Sequence, residues 1–159
     1  VVSYWIIGGE DDLIRILEKN GFDFTISWPR ITNVIREDVK KLLMRSKRSF
    51  MMALYQGSVF YYTLILDIII KSKLKTRRFK SIIREKIGIN TQKQLNDATL
   101  GQLLSDDEIN TKLFRNYDRE LKQNSVVVRN LNAHNIRSTV GPDVTSELKM
   151  IKKLIESIK

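Results

Sequence analysis

The sequence predicts a mainly α-helical protein, an antiparallel up-and-down helical bundle with a small strand–helix–strand appendage at its N-terminal end. The bundle is predicted because apolar residues recur at three- and four-residue steps from about residue 30 onward, and because capping signals divide these stretches into separate helices. The appendage is predicted because apolar and polar residues alternate before residue 30. We therefore expect residues 1–44 to form an appendage, or the end of an upstream domain, and residues 45–159 to form the bundle.

The appendage divides into three predicted elements. Residues 1–7 are mostly apolar and precede a glycine pair, which is typical of a short strand that ends in a turn. The acidic residues at 10–12 suit the positive end of a helix that stops at Gly21. Apolar and polar residues then alternate over 22–28, up to Pro29, as in a half-buried strand.

Two long helices are expected next. The first has an amphipathic stripe made of Ile31, Val34, Ile35, Val39, Leu42 and Leu43. Residues 50–70 form a nearly continuous apolar run whose length is close to that of a transmembrane span. Asp67 interrupts this run, and an acid inside a bilayer is costly, so a buried central helix is the favoured interpretation. Asp67 itself is either an acid on the helix surface or a group that faces a site or an interface.

Shorter helices with capping signals follow. Residues 77–87 are expected to form a helix that ends at Gly88. Asn90 or Thr91 is expected to cap a short helix through residue 95, and Thr99 to start another.

The last part of the chain predicts three further helices. Ser105 and Glu108 form a Ser-x-x-Glu capping box. The helix that it opens carries on one face Ile109, Leu113, Tyr117 and Leu121. The next helix breaks at Gly141-Pro142. The last one buries a stripe made of Val144, Leu148, Ile151, Ile155 and Ile158.

Composition excludes several classes of site. The chain has no cysteine, which excludes disulfides, thiolate zinc sites, iron–sulfur clusters and cysteine nucleophiles. It has one histidine, so a metal site made of several histidines of one chain is excluded as well. No acidic loop of the calcium-binding type is visible. We expect no metal and no cofactor, and the absence of cysteine favours a cytoplasmic protein.

The positive charge is concentrated in one segment. The formal net charge is +10, and residues 41–89 carry 12 basic and 2 acidic side chains. The densest part of this segment contains Lys71, Lys73, Lys75, Arg77, Arg78, Lys80, Arg84 and Lys86. Such a local excess is typical of a surface that binds a polyanion, and we expect the six residues from Lys71 to Lys80 to contact a nucleic acid. The alternatives are a solvated basic helix surface and, less favoured, contact with an anionic membrane.

The only histidine belongs to a short motif. His134 follows Arg129 by five residues, and Asn130 comes directly after the arginine. Arginine can bind a phosphate through its fork of donors, and histidine can transfer a proton near neutral pH. The motif therefore indicates phosphodiester chemistry. The alternative is that His134 is a surface or capping residue and that Arg129 pairs with a nearby acid.

The motif resembles that of the HEPN superfamily, in which an arginine, a polar residue and a histidine occupy these positions late in an all-α bundle. The resemblance covers residues 45–159, and residues 98–104 are similar to a mid-bundle segment of several HEPN proteins. It implies a metal-independent RNA endonuclease of a defence or toxin–antitoxin system that acts as a homodimer. In that scheme Arg129, Asn130 and His134 are catalytic, and the six basic residues from Lys71 to Lys80 bind the RNA. An antitoxin or an upstream sensor domain is a possible partner. Some HEPN toxins have a tyrosine two residues after the histidine, where this chain has Ile136.

Helix geometry favours a site made by two chains. A five-residue step turns about 140° on a helix, so Arg129 and His134 do not share a face, whereas Asn130 and His134 do. A second copy across a twofold axis, or a kink within the motif, would bring the groups together. The alternatives are a HEPN module that dimerises and binds RNA or protein without catalysis, and a membrane-associated helical protein built around residues 50–70.

Overall fold

The computed structural model describes the backbone of residues 22–134 and 141–159 and the side chains of residues 22–131 and 144–159. The described residues form eight helices and no sheet, which confirms the prediction of a mainly helical bundle. The helices are α1 Asn33–Met51, α2 Tyr55–Leu74, α3 Arg77–Ile87, α4 Gln92–Asp97, α5 Leu100–Leu103, α6 Asp107–Leu113, α7 Arg119–His134 and α8 Gly141–Ser157. The predicted strand at 1–7 and the helix after it lie outside the described residues.

Helix α2 is the centre of the bundle, as the apolar run predicts. It packs against α1, α3, α7 and α8, and buried residues occur on several of its sides. A helix that is apolar on most of its sides is stable in water only when other elements cover it. The run is not one helix, however, because a turn at 52–54 with Ala53 at φ 56° separates α1 from α2. No helix of the described residues combines the length and the hydropathy needed to span a membrane.

The segment before α1 packs on the bundle without forming part of a sheet. Phe22, Phe24 and Ile26 are buried while the residues between them are exposed, which is the predicted alternation. The rings of Phe22 and Phe24 each lie 5.9 Å from the ring of Tyr62 on α2. Within residues 22–134 and 141–159 this segment has no partner strand, so the predicted strand pairing of the appendage is not seen. The boundary expected between residues 44 and 45 falls inside α1.

Three of the predicted helix ends are correct. Gly88 ends α3 in the left-handed conformation, at φ 70°, where a side chain would be strained. Thr91 and Thr99 start α4 and α5, each in a capping box with a glutamine three residues later, Gln94 and Gln102 respectively.

The predicted capping box of Ser105 and Glu108 is wrong. Asp106 caps α6 instead, because its carboxylate accepts the Ile109 amide at 3.0 Å, and the Ser105 hydroxyl donates to the Gln102 carbonyl of the preceding turn. Glu108 forms ion pairs with lysines instead.

The single helix predicted from this box through Leu121 is divided in two. Helix α6 ends at Leu113, and Phe114 then pairs with Ile158 at the end of α8 in an isolated antiparallel bridge. The Arg115 amide donates to the Ser157 carbonyl at 2.7 Å, and the Lys159 amide donates to the Leu113 carbonyl at 3.0 Å. These hydrogen bonds to the C-terminal end replace the helical ones, so Tyr117 lies in the loop before α7.

Candidate nucleic-acid interface

Lys71 and Lys73, the first two residues of the basic run, form polar contacts with other parts of the protein. Lys71 lies 3.0 Å from the carboxylate of Asp67 and donates to the Asn96 carbonyl at 2.8 Å, and both side chains of this ion pair are only 17% exposed. Lys73 donates to the Arg30 carbonyl at 2.6 Å. Burial lowers the pKa of Lys73, and the charges of Arg30 and Arg115 lower it further. Both lysines join elements of the bundle.

The ion pair with Lys71 also explains how an acid, Asp67, is accommodated in the apolar helix α2. Burial raises the pKa of its carboxyl group, while the hydrogen bond and the charge of Lys71 act in the opposite direction. A half-buried acid needs such a partner, because an unpaired charge in this position is costly. Asp67 therefore pairs with Lys71 one turn later on α2.

Four exposed cations of the run form one stripe, defined as Lys75, Arg77, Lys80 and Arg84. All four are exposed, and their side chains form no hydrogen bond and no ion pair with any part of the chain that the structure describes. The last three are spaced i, i+3 and i+7 on α3, so they share one face of the helix, and Lys75 precedes them at the end of α2. This basic stripe is the part of the predicted surface that is free to bind an anion.

The other side of α3 contacts α6. Arg78 lies 5.6 Å from the centre of the Phe79 ring, and its guanidinium approaches the Lys112 carbonyl at 3.5 Å. Lys86 forms an ion pair with Glu108 at 3.1 Å. Arg78 thus belongs to the α3–α6 contact, although the sequence groups it with the RNA-binding residues.

The first turn of α6 links the basic helix to the motif helix. Glu108 pairs with Lys86 on α3, and Asp107 pairs with Lys122 on α7 at 2.6 Å. The hydrogen bond with Lys122 lowers the pKa of the Asp107 carboxyl group, and the same contact raises the pKa of Lys122. Each acid is therefore neutralised by a lysine from a different neighbouring helix.

Arg129 of the motif is directed towards the C-terminal end of α5. Its guanidinium donates to the Leu104 carbonyl at 3.3 Å, and Asn110 donates to the same oxygen at 3.0 Å. Leu104 is the C-cap of α5, so the two side chains satisfy a carbonyl at the end of a helix. The short helix α5 packs against α7. The guanidinium is half-buried, and its hydrogen bonds with the described residues use one of its five donors.

The other motif residues lie on a different face of α7. The helix is continuous from Arg129 to His134, so no break separates the two residues. Asn130 is exposed, and it shares a face with Val126 and the backbone position of His134, at four-residue steps. The side chain of His134 lies outside the described side chains. One chain thus directs Arg129 inward and Asn130 outward, and it does not bring the motif together on one face.

An apolar groove begins on the exposed side of α7. Val126 is 40% exposed and Val127 is 37% exposed, and together with Met150 of α8 they line a groove of about 650 Å³. The other lining residues are polar: Arg119, Lys122, Gln123 and Asn124. The apolar surface is therefore continuous with the face that carries Asn130.

The contacts of Asp107, Lys122, Tyr117 and Asn110 were not predicted from the sequence. The Tyr117 hydroxyl accepts from Asn110 at 3.1 Å and donates to Asp107 at 3.3 Å. In the sequence, Asn110 is the residue that could have indicated these contacts, because it is a polar residue next to Ile109 in an apolar stripe. A buried amide requires hydrogen-bond partners, and Asn110 is buried. Among the described residues, no group of three histidine or acidic side chains is arranged to bind a metal ion.

No protein-family model matches this chain, and no curated protein or solved structure matches it.

Proposed function

We propose that this protein binds RNA along the basic stripe and cleaves the bound strand without a metal ion, at a site that two copies of the motif at residues 129–134 form together. The observation that carries the proposal is the basic stripe: four exposed cations on one surface with no acidic partner in the described structure. Cations without internal partners can replace the counterions of a phosphate backbone, which is the main source of affinity for nucleic acids.

Helix α6 lies between α3, which carries most of the stripe, and the motif helix α7. Helix α6 contacts α3 through Glu108 and α7 through Asp107, and both carboxylates are paired with lysines. A strand that extends from α3 towards α7 therefore meets acids whose charge is already compensated. The target is a cytoplasmic RNA in this proposal, and a defence or toxin system with an antitoxin or a sensor domain is the proposed setting.

The proposed chemistry uses the ribose itself as the nucleophile. His134 removes the proton from the 2′-hydroxyl, or donates a proton to the leaving 5′-oxygen, and a second copy supplies the other role. A bond forms between the 2′-oxygen and phosphorus while the bond to the 5′-oxygen breaks, so one product ends in a 2′,3′-cyclic phosphate. Arg129 stabilises the added negative charge with donors that Leu104 does not use, and Asn130 orients His134 or the phosphate.

The apolar groove supports the involvement of a second copy. Val126 and Val127 are exposed on the side of α7 that carries Asn130 and the His134 position, and burying such residues against another chain is favourable. A twofold contact through this face brings two motif helices together.

Cleavage is tested with labelled single-stranded RNA in EDTA. We expect the wild-type chain to cut RNA and not the 2′-deoxy strand of the same sequence, and His134→Ala to reduce cleavage by at least about 100-fold, because a general acid–base group contributes about 10²–10⁴ in rate. RNA affinity should stay unchanged in this variant. Cleavage that requires Mg²⁺, or that persists in His134→Ala, contradicts the proposed chemistry.

Dimerisation is tested with Val126→Glu, matched by Val34→Glu at an exposed valine of α1. We expect sedimentation to show a dimer for the wild-type chain and for the control, and a folded monomer without cleavage for Val126→Glu, because a carboxylate in an apolar contact is costly. A wild-type monomer that still cuts RNA would contradict the two-chain site.

The second candidate function is RNA binding without cleavage. It is favoured by the contact between Arg129 and the Leu104 carbonyl, since this contact gives the arginine a structural role. Salt-sensitive binding together with no cleavage by the wild-type chain would support it.

A further inference from the structure

A cavity of about 260 Å³ lies beside the basic stripe, between the end of α2, α3, and the loop that leads into α4. Its inner wall is formed by buried apolar side chains: Leu74, Ile83, Ile89 and Leu95. Its outer wall is formed by exposed residues: Lys75, Lys80, Asn90, Thr91 and Gln92. An apolar wall with a few converging polar groups is typical of a ligand site, and this volume lies just below the usual range of about 300–1,000 Å³ for drug-sized ligands.

The charge of the cavity favours an anion. Lys75 and Lys80 are two of the four residues of the basic stripe, and none of the nine lining residues is acidic. Neither ammonium group has a hydrogen bond or an ion pair with the described residues, so both are free to bind a phosphate. Arg77 and Arg84 belong to the same stripe but do not line the cavity.

The remaining polar groups of the cavity favour more than a bare phosphate. The side-chain nitrogen of Gln92 donates to the side-chain oxygen of Asn96 at 3.0 Å. The side-chain nitrogen of Asn90 donates to the Gly88 carbonyl at 3.3 Å. Each of these amides therefore keeps its carbonyl oxygen available as an acceptor. Acceptors at the rim and an apolar wall behind them match a nucleobase, which is flat, apolar on its faces and polar at its edge.

We propose that this cavity holds one nucleotide of the bound RNA, with its phosphate on Lys75 and Lys80 and its base against the apolar wall. The proposal rests on the proposed RNA binding and adds to it: the stripe has one position that holds a base and other positions that contact only the backbone. Lys75 and Lys80 are therefore not equivalent to Arg77 and Arg84, although all four carry one positive charge.

Two double variants with the same loss of charge test this difference. Lys75→Ala with Lys80→Ala removes the cations of the cavity, and Arg77→Ala with Arg84→Ala removes two cations outside it. Adenosine monophosphate, adenosine and inorganic phosphate are titrated into the wild-type chain and both variants by calorimetry. We expect the monophosphate to bind the wild-type chain most tightly, about tenfold or more weaker binding in the cavity variant, and unchanged binding in the other variant.

A second pair of variants adds a large side chain inside or outside the cavity without changing the charge. Gln92→Trp should fill the mouth of the cavity and abolish nucleotide binding, whereas Ser81→Trp, at an exposed position of α3 that does not line the cavity, should keep it within a few-fold. Equal loss of RNA affinity in the two double variants, with no binding of the monophosphate, would overturn the nucleotide site and leave the proposed RNA binding intact. Equal affinity for phosphate and the monophosphate would overturn the base contact. A wild-type chain that binds the monophosphate but not RNA would support the cavity and overturn the proposed function.

Discussion

The basic stripe and the motif helix α7 present their cations in opposite ways. On the stripe four side chains are exposed and have no partner in the described structure, whereas Arg129 of the motif is half-buried and hydrogen-bonded to the Leu104 carbonyl. The exposed face of α7 carries Val126 and Asn130, which are uncharged. Electrostatic attraction of RNA is therefore expected to come from α3, and α7 is expected to contribute chemistry and contact with a second chain.

The largest expected effect is on RNA affinity when the whole stripe is replaced by alanine. For a single strand, each phosphate contact contributes about 0.7 to the slope of log affinity against log salt, so four contacts give a slope of roughly −3 in the wild-type chain. We expect the quadruple variant to lose most of this slope and to keep its stability, because the four side chains form no hydrogen bond and no ion pair with the described residues.

A matched control removes four exposed cations elsewhere on the described surface. Its substitutions to alanine are at Arg36, Lys41, Arg48 and Lys93. We expect a clearly smaller loss of salt slope than in the stripe variant, measured by fluorescence anisotropy at several salt concentrations. An equal loss of salt slope in the two variants would mean that net charge alone determines RNA binding. The stripe would then bind RNA no better than the rest of the surface.

A smaller effect, on stability, should distinguish Arg129 from the stripe residue Arg84. We expect Arg129→Ala to lower the free energy of unfolding by about 1–2 kcal/mol, because the Leu104 carbonyl loses a charged donor at the end of α5. Arg84→Ala should change it by less than about 0.5 kcal/mol, as is usual for exposed residues, because Arg84 has no hydrogen bond or ion pair with the described residues. Urea denaturation measures the free energy of unfolding of both variants. An Arg129→Ala protein that keeps its stability but loses its activity would assign the arginine to catalysis alone.

The smallest expected effect concerns the ion pair that joins α6 to α7. Because Lys122 lowers the pKa of Asp107 from 3.8, the stability from this pair is present above the unfolded pKa and is lost as the pH falls through the folded value. Lys122→Ala should return the Asp107 pKa towards its ordinary value, as measured by NMR titration. The effect should weaken at high salt, since both groups are exposed. An unchanged pKa in Lys122→Ala would show that the pair does not persist in solution.

The sequence by itself determines the features that depend on near neighbours. The caps at Thr91 and Thr99 and the left-handed end at Gly88 follow from residues three or four positions away. The alternating burial of Phe22, Phe24 and Ile26 follows from a two-residue period. The sequence does not determine every helix cap, because Ser105 and Asp106 are both residues that favour the N-cap position. Only the position of the preceding turn selects Asp106.

The tertiary structure alone decided which charged residues are free. Lys71 and Lys73 look no different in the sequence from Lys75, but the carbonyls of Asn96 and Arg30 come within reach of the first two through folding. Arg129 likewise finds the Leu104 carbonyl 25 residues earlier in the chain. The break between α6 and α7 depends on the C-terminal residues that pair with Phe114. Periodicity and capping are local properties of a chain, whereas the partner of a long charged side chain or of a backbone carbonyl is set by which distant segments pack beside it.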